Sequence, residues 1–258
     1  MSPRESLLDT FPGRLFIDHL RSARVLPAAF VGDMGAEHLI EGADSVVGSY
    51  LYSDACLEVA DLDVDDPELQ EFNAAGLAAL AKLSTFDSPQ IHQGKIGELR
   101  EPVIVNRNPL SALPGGAFWT STPISDGKDS WTVCGENLSR EDPRWEVYFD
   151  IDSVRVARVD SARDWIELIE SHPIIAGSCK YPDWPAIAES WDAVHLSAAG
   201  LLLAHPTIST TRFVASDVCG EAHSQAGPYA SVADWSAVST AWLHRPPNAK
   251  LRSAERDR

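Results

Sequence analysis

Pro114-Gly115-Gly116-Ala117-Phe118-Trp119-Thr120-Ser121-Thr122 is the stretch on which the reading of this chain turns. Pro114-Gly115-Gly116 specifies a tight turn, and the aromatic pair and hydroxyl residues that follow, Ala117 to Thr122, suit a short strand. Just upstream, Glu101-Pro102-Val103-Ile104-Val105-Asn106-Arg107 reads as a short buried strand ending in a cation, and Asn108-Pro109 forces the chain to turn. An Arg at a strand end, with a Trp-Thr-Ser-Thr run beyond a glycine turn, can serve an anionic dinucleotide. Arg107 pairs with a diphosphate, the Gly115-Gly116 backbone approaches the ligand, and Ser121 or Thr122 bonds ribose or phosphate. The same residues also describe an edge hairpin with a surface Arg and a packed Trp.

Outward from this stretch, apolar spacing predicts two short helices within 5–24 that meet at Pro12-Gly13, and a strand at 45–52 from its β-branched and aromatic residues. It also predicts a helix over 66–83 capped by Asp66. Residues 84–101 are rich in turn formers, which puts a subdomain boundary there and His92 in a loop. Alternation over 144–159 predicts two adjacent strands. Helices capped by Ser161 and Asp183 follow, then strands at 192–197 and 235–243. The order does not alternate as parallel βαβ units do, so the expected class is α+β. The expected organisation is a mainly helical N-terminal subdomain or extension at 1–95, an α+β domain at 96–247 and a frayed tail at 248–258.

The formal charge of −17 argues against passive binding to a nucleic-acid backbone and fits an acidic, solubilised surface. Cys56, Cys134, Cys179 and Cys219 form no CxxC pair and no zinc-finger spacing, so no metal is expected. The absence of an apolar leader or a membrane-length run makes a cytoplasmic location with reduced thiols the expectation. Walker, nucleophile-elbow, zincin and Rossmann motifs are missing. Cys134 beside Gly135 reads as a nucleophile without an identifiable base or as an incidental thiol; His92 and His223 read as general bases or as surface polar groups.

The ordered pieces Pro114 to Ser121, Ser130-Trp131, Asp183-Trp184-Pro185-Ala186-Ile187-Ala188, Trp191-Asp192-Ala193-Val194-His195-Leu196-Ser197 and Asp234 to Trp242 resemble a family of bacterial and phage proteins related to ADP-ribosyltransferases. The resemblance covers about residues 101–245. It implies a split, twisted pair of antiparallel sheets with flanking helices and with NAD, the substrate, in the cleft between them. It further implies a mono-ADP-ribosyltransferase or NAD glycohydrolase that cleaves the nicotinamide N-glycosidic bond, as a toxin or phage-linked factor, with a protein, nucleic acid or small molecule as acceptor. Arg107 matches the family's first-strand Arg and Ser121 its second-motif hydroxyl; Gly116, Trp119, Thr120 and Thr122 line the same NAD site. The family's carboxylate has no counterpart, because its strand reads Ala193-Val194-His195-Leu196, Asp192 faces the other way, and Glu170 and Glu189 fall on helices. His195 takes an acid–base role, or a Glu arrives from elsewhere, or catalysis is lost. A non-catalytic acidic binding protein and a hydrolase or nuclease using His92, His195 or His223 are the other readings.

Overall fold

The computed structural model describes residues 5–22, 28–53, 55–83, 85–125, 127–135, 142–205, 228–232, 235 and 237–254. The helices are α1 (Phe11–Ser22), α2 (Ala36–Tyr52), α3 (Ala55–Val59), α4 (Pro67–Ala81), α5 (Ser130–Val133), α6 (Ala162–Ser171), α7 (Trp184–Ser190) and α8 (Ala198–Leu203). The strands are β1 (Gln90–Gln93), β2 (Phe118–Ser121), β3 (Pro123–Ser125), β4 (Lys128–Asp129), β5 (Arg144–Tyr148), β6 (Val156–Val159), β7 (Pro173–Ala176), β8 (Cys179–Pro182), β9 (Ala193–Leu196), β10 (Ser239–Trp242) and β11 (Lys250–Ser253). The fold is α+β. Its main sheet runs β11-β5-β1-β2-β10-β9-β6, with the β3–β4 and β7–β8 hairpins apart from it. In place of a split antiparallel pair there is one mixed sheet, in which β6 and β9 run parallel and the other neighbours antiparallel.

Strand alternation sorts the sheet into two faces. One face presents Trp119, Ala241, Val194, Leu196, Ala157 and Val159 to the helices, and the buried apolar residues of the helices share this single core. The other face carries a smaller cluster, Phe86, Phe149, Ala193 and Trp242, with Phe118, Val154 and Val156 against it.

Several local expectations give way to tertiary packing. Residues 45–52 lie inside α2, because Leu39, Ile40, Ala43, Val46, Val47 and Tyr50 are buried at helical spacing, and that period outweighs the β-branched bias. Pro12 and Gly13 sit in the first turn of α1, where a missing N–H is harmless, instead of between two helices. A Cβ on Gly13 would lie 2.0 Å from the Leu7 carbonyl oxygen, so the glycine lets the preceding 3-10 turn fold back. Residues 101–107 alternate between exposed and half-buried, as a strand does, but among the described residues they make one isolated bridge, Val105 to Gly115. Strands β5 and β6 are not neighbours: Ile151–Ser153 forms a 3-10 turn between them, and β6 pairs with β9 at the far edge. The helices expected at 66–83, 162–171 and from Asp183 and the strands expected at 117–122 and 192–197 are found, as α4, α6, α7, β2 and β9, whereas of the strand expected over 235–243 only Ser239–Trp242 is strand among the described residues.

The 1–95 segment is mainly helical, yet it also supplies β1, which lies between β5 and β2. His92 is therefore on a central strand, not in a loop. The tail likewise contributes β11, an edge strand on β5.

Arg14 fastens the helical layer. Its Nε donates to Leu8 O at 2.8 Å, and Nη1 donates to Val59 O at 3.1 Å and Ala60 O at 2.6 Å, which gathers the orphan carbonyls of two helix ends around one buried cation. Arg14→Leu removes these bonds from all three carbonyls, Val59 O keeping only the Leu62 N–H at 3.4 Å, and each buried group left unpaired costs about 1–3 kcal/mol. Urea titration is expected to show a loss of about 3 kcal/mol by the same reasoning; an unchanged midpoint contradicts this role.

Candidate functional site

Strand β2 fixes where the predicted site residues can point. Its alternation sends Trp119 and Ser121 toward the helices, and Phe118 and Thr120 to the opposite face. The Trp-Thr-Ser-Thr run therefore does not line a single wall. Trp119 packs edge-on against Trp235, with ring centroids 5.0 Å apart.

Ser121 is fully buried and donates to Asp129 Oδ1 at 2.8 Å, with Ile91 O at 3.2 Å. Asp129 is the carboxylate that sequence reasoning missed, and its only signal was the cap pattern Asp129-Ser130-Trp131-Thr132. It accepts from Thr132 N at 3.1 Å and Thr132 Oγ1 at 3.0 Å and forms a buried ion pair with Arg144. Arg144 also donates to Gly127 O at 2.9 Å. Every oxygen of Asp129 is thus occupied, and the cluster staples β2, the start of α5 and β5 together.

Thr120 donates to Gln90 Oε1 and accepts from Trp242 Nε1 at 3.0 Å. Its cross-strand partner Thr240 hydrogen-bonds His195 Nδ1 at 2.9 Å. Gln90, Thr120, Thr240 and His195 form a row of buried polar side chains across β1, β2, β10 and β9. Among the described residues, Gln90 Nε2, His195 Nε2 and the Thr122 hydroxyl, which follows β2, have no partner. Burial pushes the His195 imidazole down to about 4, helped by the Arg158 charge and opposed by Asp160 and Asp87. Phe86 covers it at 5.6 Å between ring centroids. The imidazole is neutral at neutral pH and has no exposed surface.

Arg107 and Gly116 lie upstream of β2. Arg107 is exposed and, among the described residues, unpaired; its neighbour Asn106 anchors the segment through Asp183 Oδ1 at 2.9 Å and Trp184 N at 2.8 Å. Gly116, at φ +78°, lets the chain approach itself: an added Cβ would meet the Val103 carbonyl oxygen at 2.1 Å. Arg107 and Ser121 thus flank β2 at opposite ends, across a strand that rises about 10 Å, while His195 is on the other face. The seven predicted residues are not gathered into one pocket.

Among the other groups singled out, Asp192 is held by Arg155 at 2.6–3.2 Å and Glu170 by Lys180 and by Tyr229 OH, the latter at 2.5 Å. Cys134 is half-buried at the end of α5. Cys219, Glu221, His223, Asp234 and Ser236 lie outside the described residues.

His92 has the most usable geometry. It projects from β1 on the same face as Gln90 and Phe118, half-buried, and stacks on Phe118 at 4.7 Å. Its Nδ1 contacts Trp119 O at 2.8 Å. A carbonyl only accepts, so Nδ1 carries the proton and Nε2 is left with its lone pair. Burial lowers the His92 pKa against the opposing pull of that carbonyl bond, which keeps Nε2 unprotonated at neutral pH. The cross-strand neighbour Trp145, half-buried, adds a second aromatic surface. Sequence reasoning had placed His92 in a loop; the strand is short and begins immediately after Pro89, which conceals it.

Among the described residues no cluster of three or more His, Cys, Asp or Glu could hold a metal ion, and no helix is long and apolar enough to cross a membrane. The chain matches no family model, no curated protein and no solved structure.

Asp129→Ala strands the Arg144 cation and is expected to cost about 3–5 kcal/mol in urea titration, whereas Ser121→Ala, which deletes one hydrogen bond, costs about 1 kcal/mol; equal effects contradict the staple. His195 and His205 are both held near 4, His205 by burial against its bond to Leu201 O, below the usual 6.5. Between 6.5 and about 4 the unfolded chain binds more protons at these positions than the folded one. Stability is therefore retained above 6.5 and falls with pH through that window, by up to about 1.4 kcal/mol per pH unit per histidine. His195→Gln is expected to flatten the denaturation midpoint against pH over this range; an unaltered slope contradicts the neutral buried imidazole.

Proposed function

We propose that the protein binds a nucleotide on the sheet face that carries His92, Phe118 and Trp145, with NAD the ligand and ADP-ribosyl transfer or NAD glycohydrolysis the reaction class. The observation that carries this reading is the His92 imidazole, whose tautomer is fixed by the Trp119 carbonyl and whose Nε2, unpaired among the described residues, belongs to a ring stacked on Phe118. A planar base or nicotinamide ring stacks on such a surface, and a ribose hydroxyl donates to a neutral imidazole nitrogen. The motif order that resembles ADP-ribosyltransferases supplies NAD as the ligand, and Arg107, exposed and unpaired among the described residues, is the cation for its diphosphate. Ser121, Trp119 and His195 hold the framework in this reading. The cytoplasm is the expected compartment.

The same unprotonated Nε2 also suits a general base, which favours a His92-dependent hydrolase or nuclease as the second reading. Nicotinamide release and thermal shift separate the two. Millimolar NAD is expected to raise the melting temperature of the wild type by mass action, and His92→Ala is expected to abolish both the shift and NAD turnover, with Arg107→Ala weakening NAD binding. No shift and no release with the wild type contradict the NAD reading; hydrolysis of another ester that depends on His92 then selects the second.

A further inference from the structure

Segment 101–107 makes one isolated bridge, Val105 to Gly115, and belongs to none of the sheets. Pro102, Ile104 and Asn106 are half-buried, Ile104 against the main core, while Glu101, Val103, Val105 and Arg107 are outward and exposed. Val103 is 77% and Val105 49% exposed, high values for β-branched apolar side chains. On one edge the Val105 N–H and C=O bond to Gly115 at 3.0 and 2.9 Å. Alternation turns the backbone groups of Ile104 and Asn106 to the other edge, and among the described residues their N–H and C=O groups make no hydrogen bond. Two polar anchors hold the segment in this extended form: Glu101 meets His244 Nδ1 at 2.6 Å and Arg245 N at 3.2 Å, and Asn106 joins the start of α7.

We infer that this edge pairs with the same edge of a second copy, as an antiparallel two-stranded ribbon centred on Ile104 across a two-fold axis. The sequence is self-complementary in that register. Ile104 faces Ile104 of the second copy and exchanges both backbone bonds with it. Val103 faces Val105 in the close, non-hydrogen-bonded pair, and Glu101 faces Arg107. Pro102, which has no N–H, falls opposite Asn106, where its carbonyl accepts the Asn106 N–H. Each outward side chain thereby meets a complementary one, the requirement of an isologous contact. A shift of one residue would set Val103 against Ile104 and leave the Glu101–Arg107 pair unmatched. Unrelated strands could use the free backbone; the second copy offers in this register the Val105 and Arg107 side chains that suit Val103 and Glu101, the latter keeping its bonds to His244 and Arg245.

Sedimentation of the full chain is expected to show a concentration-dependent species of twice 28.1 kDa. Val103→Lys, on an exposed side chain, is expected to weaken it by about tenfold or more, because it places a cation against the Val105 pair; unchanged far-UV circular dichroism checks the fold. The register is read by mixing Val103→Cys protein with Val105→Cys protein under oxidising conditions. The mixture is expected to form a disulfide-linked heterodimer, since close antiparallel pairs lie within disulfide reach, and each variant alone to form no more cross-link than the wild type. A monomer at every concentration overturns the inference, as does a dimer that ignores Val103→Lys or a mixture that fails to cross-link. The two readings share Arg107, but none of these variants alters it and none of these readouts involves NAD, so the inference stands or fails apart from the nucleotide reading.

Discussion

The alternation of side chains along β2 is the constraint on which the rest depends. Four residues, Phe118 to Ser121, sit in the middle of a seven-stranded sheet, and their geometry sends successive side chains to opposite faces. One face must join the helical core, so Trp119 packs on Trp235 and Ser121 disappears beneath the Asp129–Arg144 pair. The other face inherits Phe118 and Thr120, and with them the buried polar row and the His92 stack. Neither a rotamer change nor a change of register brings all four residues to one ligand, because a slip exchanges the two faces without ending the alternation and would empty the core face.

The polar row is the cost of this arrangement. Gln90, Thr120, Thr240 and His195 are sealed from solvent with two of their nitrogens unsatisfied, which is tolerable only because the remaining bonds are made and His195 stays neutral. The Asp129 cluster shows the complementary solution, in which a buried charge is accepted and every oxygen is given a partner. Both clusters bind strands distant in sequence: β1 to β2 and β9 to β10 in one, β2 to β5 in the other.

Much of the fold was legible where a long, regular pattern or a cap stood alone. Asp66 before Pro67, Ser161 before α6 and Pro185 in the first turn of α7 mark helices by chemistry that works locally. Residues 45–52 were not legible, because β-branched residues in a short window mimic a strand while the burial that decides the matter has a helical period over seventeen residues. The partners of β5, β6 and β11 were hidden for another reason: strand order is set by contacts between segments far apart in sequence, and four-residue strands carry little register information. At the site, the hydroxyl run and the Arg were visible as residue types, but which face each took depended on β2's neighbours. Asp129 was obscured by its role as a helix cap, and His92 by the turn formers around it.

In the proposed function, His92 offers an unprotonated Nε2 to a ligand on the sheet face it shares with Phe118 and Trp145. Nitrogen-15 NMR of the histidine rings, recorded at neutral pH with and without saturating NAD, tests it most directly. The expected spectrum has a His92 ring protonated at Nδ1, with an Nε2 resonance that shifts on adding NAD while the His195 ring stays unchanged. A His92 ring protonated at Nε2, or ring resonances that ignore NAD, would contradict it.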